Sequence, residues 1–90
     1  MMYTKAIFGN ELKNLVLQRQ NVVDIGIWAH STYIEYCEQL EPGLRQIMLD
    51  LNAMELGDQF AISYEMLDKI ADDLMAGKDV DLNSEDYREV

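Results

Sequence analysis

Apolar residues recur along this chain at three- and four-residue intervals, the spacing that builds one face of an α-helix, and no alternating or β-branched run suggests a sheet. Leu12, Val16, Arg19, Val23, Gly26, His30, Tyr33, Cys37 and Leu40 follow in alternating steps of four and three, with Arg19 as a polar interruption. Leu15, Val22, Ala29 and Tyr36 flank the same face. A loop would be free to lose this phase, so its persistence predicts one long helix over about residues 11–40, with Asn10 after Gly9 as its N-cap. A rival reading kinks or breaks that helix near 21–26. Asn21 with Asp24 three residues later imitates a capping box, and Gly26 softens a shorter second helix. The unbroken phase favours the single rod.

Pro42 ends this rod and suits the first position of a second helix over about 42–56, where its missing N–H costs nothing. Leu44, Ile47, Met48, Leu51 and Met54 make its apolar face, Leu49, Ala53 and Leu56 add a second apolar side, and Gly57 closes it as a left-handed cap. A third helix is expected over about 63–77. Ser63 is a good N-cap, Ile62 can staple onto Leu67, and Gly77 stops it. Met66, Leu67, Ile70 and Leu74 form its buried stripe. Residues 78–90 read as a loosely ordered acidic tail unless Val80, Leu82 and Tyr87 dock. The expected fold is therefore all-α: a small helical bundle forming a single domain over residues 1–90.

The lengths carry a consequence. A thirty-residue helix is about 45 Å long, whereas the two later helices reach only about 20 Å each. Folded back on it, they cover mainly its C-terminal half, which leaves Leu12, Leu15, Val16, Val22 and Val23 without enough cover. The reading predicts a homodimer through that strip, two-fold symmetric. A broken first helix could instead bury the same residues within one chain.

Charge narrows the partners. Of the 90 residues, 17 are acidic and 7 basic, a formal charge of −10. Nucleic-acid phosphates and anionic membrane surfaces would be repelled, and no cluster of Lys or Arg provides a local exception. No nucleic-acid or membrane partner is expected; another protein is, and a basic one is compatible with the charge. The third helix carries Glu65, Asp68 and Asp72 opposite its apolar stripe, with Asp73 beside them. Asp72 and Asp73 oppose the helix dipole there, which makes this face, with Trp28, the candidate partner-binding surface. Lys69 can pair with Glu65 and Asp73, so a solvated face is the plainer explanation. Trp28 could equally be packing at a core margin.

Chemistry finds little footing. His30 and Cys37 share a helix face but sit about 10 Å apart along its axis, beyond hydrogen-bond reach. Both fall within the apolar pattern: His30 reads as a core or interface histidine and Cys37 as small core filler. A calcium-loop imitation at Asp79-Val80-Asp81-Leu82-Asn83 has Ser84 at the turn glycine and Val90 at the bidentate glutamate. No glycine-rich phosphate loop is present. The expectation is a non-enzyme without metal or cofactor, cytoplasmic, working as an adaptor, regulator or chaperone-like subunit. The alternative is an acidic inhibitor or immunity-type protein that covers a basic enzyme or mimics nucleic-acid charge.

Overall fold

The computed structural model describes residues 2–56, 62–82 and 87. These residues form an all-α bundle of four α-helices: α1 (Lys5–Leu17), α2 (Val22–Tyr36), α3 (Leu44–Asn52), which runs on into a 3-10 turn (Ala53–Leu56), and α4 (Tyr64–Met75). Gly57, expected to cap the second helix, lies outside the described residues, as do residues 83–86 and 88–90 of the tail.

The long rod is replaced by two helices, and the rival break is the one adopted. Thr4 caps α1, its hydroxyl accepting from the Ile7 amide, so Asn10 is not a cap but mid-helix. At the other end Gln20 N donates to Leu15 O and Arg19 N to Val16 O, the paired bonds of a Schellman cap. Arg19 supplies the left-handed residue (φ 53°) that glycine usually provides. Asn21 then starts α2, accepting from the Val23 amide at 2.8 Å. The longest dimension of the molecule is 35 Å, too short for a rod of about 45 Å.

Packing follows from the break. α1 lies against α4, and α2 against α3 and the 3-10 turn. Lys13 bonds Asp68 and Asp72, while the Tyr64 hydroxyl donates to Gln20 O, so α1 and α4 run antiparallel. Gly9 sits inside α1 because a Cβ there would meet Ala71 O and Leu74 Cβ at 2.8 Å. The core gathers Phe8, Leu12 and Val16 with Ile25, Ile47, Met48, Leu51, Leu67, Ile70 and Leu74. Phe8 stacks on Trp28 (4.6 Å between centroids) and ties the two helix pairs together.

Pro42 and the tail depart from expectation, and the N-terminus adds a contact that the pattern does not announce. Pro42 lies in a turn ahead of α3, whose N-cap is Gly43 at φ 90°. The described part of the tail docks: Val80, Leu82 and Tyr87 pack on the core, and Asp79 bonds Lys5. Tyr3 forms a parallel bridge with Leu40, donating to Gln39 O and accepting from Glu41 N, which pins the N-terminus to the α2–α3 connection. Ser63 and Gly77 stand as read: Ser63 caps α4, and Gly77 (φ 78°) closes it with a second Schellman pair.

Candidate functional site

Leu12 and Val16, offered as an intermolecular strip, are sealed inside the chain's own core, and Leu15 and Val22 pack at its edge. Val23 is half-buried. The uncovered strip was a consequence of the rod; with α4 laid along α1, its cover comes from within the molecule.

The acidic face of α4 is also engaged. Lys13 binds Asp68 and Asp72, which hold its ammonium above the usual lysine range. Asp73 accepts from the Tyr87 hydroxyl and pairs with Lys78. Glu65 stays exposed beside a groove of about 200 Å³ lined by Val16, Leu17, Arg19, Tyr64, Glu65 and Asp68, smaller than the roughly 300 Å³ at which small-molecule pockets begin. Trp28 has its ring on Phe8. The residues proposed as one partner surface are thus divided between internal ion pairs, an aromatic stack and a shallow groove.

Cations are distributed in the same inward way. The Lys5 ammonium, with its side chain 8% exposed, lies between Asp79 and Glu41; the bond to Asp79 raises it and lowers the Asp79 carboxyl. Arg19 rests over the Tyr64 ring at 5.0 Å, Arg45 over Tyr33 at 5.9 Å and Lys69 over Tyr87 at 5.0 Å. Every Lys and Arg among the described residues is therefore held by the chain's own carboxylates or rings.

α2 presents the surface that the sequence pattern did not single out. Its inner side buries Ile25, Gly26, Ala29 and Thr32. Gly26 lets the 3-10 turn come close, since a Cβ there would stand 2.7 Å from Glu55 N. Trp28, Tyr33 and Tyr36 fill the margins, Tyr36 stacking on Tyr3 at 4.4 Å. The outer side carries Ile27 and Ile34, 46% and 61% exposed, with exposed His30 and Ser31 between them. Exposed Cys37 and Glu38 follow the helix, so neither His30 nor Cys37 is a core residue. The break at Arg19 rotates the phase and turns the extrapolated stripe partly outward.

A helix that is apolar nearly all round is ordinarily buried on all sides. α2 comes close to that composition, with isoleucine, valine or an aromatic on each side except the margin of Asp24 and Glu35, yet Ile27 and Ile34 lie uncovered on its outer side. That mismatch is the signal that could have revealed Ile27 and Ile34 in the sequence. Asp24 in its first turn suits the helix dipole. Glu35 sits on the same margin and pushes the Tyr36 hydroxyl up.

Among the described residues no cluster of three His, Cys, Asp or Glu side chains is placed to hold a metal ion, and no helix is long and apolar enough to cross a membrane. No family model matches the chain, and no curated protein or solved structure is similar to it.

Proposed function

We propose that this protein is a small interaction module, an adaptor, regulator or chaperone-like subunit without catalytic activity, and that it works through the outer face of α2. The observation that carries the reading is the pair of exposed isoleucines, seven residues apart on a helix whose composition is that of a buried one. Single exposed apolar residues are ordinary; aligned ones on one helix are how helix-binding grooves and partners are recognised. The runner-up, an acidic inhibitor using α4, has less support because Asp68, Asp72 and Asp73 already have partners inside the chain. An exposed lone Cys37 suits a reducing compartment, and the cytoplasm is the proposed setting.

A photo-crosslinking amino acid placed at position 34, and at exposed Asn14 of α1 as a control, tests this in the native cell. A discrete protein adduct from position 34 and none from position 14 is the expected result. No adduct at 34, or the same adducts from both positions, would remove the α2 face as the working surface.

A further inference from the structure

Resting on that interaction reading, we infer that the outer face of α2 receives a basic amphipathic helix of a partner protein, its apolar stripe over Ile27 and Ile34 and its Lys or Arg side chains against Asp24, Glu35 and Glu38. Shape and charge select this occupant. The two isoleucines stand about 10 Å apart along the helix, two turns, which is the repeat of an apolar stripe on a facing helix. Asp24 and Glu35 fall about 60° and 80° around the axis from Ile27, along one margin of the strip. Glu38 is exposed just beyond the C-terminal end.

Asp24 accepts from the Gln20 side-chain amide at 3.2 Å, but among the described residues no cation pairs with Asp24, Glu35 or Glu38. From Gln20 to Leu44 the chain contains Asp24, Glu35, Glu38 and Glu41 and not a single Lys or Arg. Arg45, the next cation, is turned onto Tyr33, and Lys5 is held by Glu41 and Asp79. A second copy of the chain would bring the same carboxylates to the contact and a further charge of −10, so like charges would face each other. A cationic stripe instead meets a complementary margin, which steers encounter and fixes orientation, while the isoleucines supply the desolvated centre.

Two synthetic helical peptides of about eighteen residues, long enough to span α2, provide the test. Both contain only Leu and Lys; in one the leucines form a single stripe, in the other the order is scrambled. Each is titrated into the isotopically labelled full-length chain and followed by NMR at low and high salt. The striped peptide should bind about tenfold more tightly than the scrambled one, with shift changes centred on residues 23–38. Ile27→Ser with Ile34→Ser should weaken it about tenfold again. Asp24→Asn with Glu35→Gln should weaken it and flatten its salt dependence. Equal affinity for both peptides, shift changes centred on α4, or indifference to the isoleucine pair would overturn the inference. So would a dimer of the chain alone that Ile27→Ser with Ile34→Ser abolishes, because the face would then belong to a second copy. Thermal melts verify that the variants stay folded; should the double change unfold the chain, Ile34→Ser alone is used. If position 34 still crosslinks to a protein while the striped peptide fails, the interaction reading stands and only the basic helix falls.

Discussion

Gly9→Ala isolates the close approach of α4 to α1. A methyl group at that position would lie 2.8 Å from Ala71 O, 2.8 Å from Leu74 Cβ and 3.0 Å from Met75 N. Two of these three atoms are backbone, so no side chain can swing away. The helices must separate, and they share Phe8, Leu12 and Val16 on one side and Leu67, Ile70, Ala71 and Leu74 on the other, all 2% exposed or less. Overpacking of a well-filled core costs about 1–3 kcal/mol, and a rigid backbone obstruction belongs at the upper end. Against this, alanine is favoured over glycine inside a helix by about 1 kcal/mol. The net is about 2 kcal/mol of destabilisation, which at about 4–8 °C per kcal/mol for a domain of this size lowers Tm by about 8–16 °C.

Urea and thermal unfolding followed by circular dichroism at 222 nm measure this directly. Gly77→Ala is the control: its φ of 78° disfavours any side chain, but nothing lies within 4 Å of the added methyl group. It should cost about 1 kcal/mol through backbone conformation alone. A Gly9→Ala protein as stable as the parent, or more so, would refute the α1–α4 crossing as described. Helix propensity alone would then have decided the outcome.

Other measurements probe the caps and the buried polar contacts. Ser63→Ala, which removes the hydroxyl that accepts from the Met66 amide, should cost about 1 kcal/mol in a urea melt. Burial, with the bond to Glu11, pushes the Tyr3 hydroxyl far above its usual value of 10.0. The unfolded chain therefore loses that proton first, and stability falls above pH 10 by up to about 1.4 kcal/mol per pH unit, a loss that Tyr3→Phe should lessen in alkaline melts. Lys5→Met should leave Tm unchanged or raise it, since Asp79 is already in water and Glu41 can turn out to it, while the buried ammonium is removed. Glu41→Gln with Asp79→Asn should lower Tm instead, by stranding a buried ammonium without its carboxylates.

The features that declared themselves in the sequence are those whose chemistry has a single meaning. Ser63 before an apolar run and Gly77 after it bracket α4 because a hydroxyl cap and a left-handed glycine have few other uses there. The same Schellman cap ends α1, but its left-handed residue is Arg19, a side chain that gives no warning of a positive φ. Tyr64 helps to hold that turn, with its ring under the guanidinium and its hydroxyl on Gln20 O, and it lies forty-five residues away in the chain. Periodicity cannot see such a contact, so the helical phase was carried across the break. The carried phase turns Val23, His30 and Cys37 inward, where the structure leaves them half-buried or exposed, and it passes over Ile27 and Ile34. Gly9, which an Asn10 cap would leave ahead of the helix, lies inside α1, and its lack of a side chain is what lets α4 close on it.

The charge and the isoleucines have to be considered together. Solubility accounts for a surplus of carboxylates on a small chain, and it would be served equally well by Glu at positions 27 and 34. At an exposed helix site Glu also has the better intrinsic propensity, because a β-branched side chain loses rotamer freedom against the preceding turn. Isoleucine at both positions therefore runs against local preference twice, in hydration and in backbone energetics. Such a conflict at one residue is noise. At two residues on one face, in the stretch from Gln20 to Leu44 that holds four carboxylates and no Lys or Arg, it gives that face a direction. Its apolar centre lowers the free energy only when covered, and its charged margin favours a covering surface of the opposite sign.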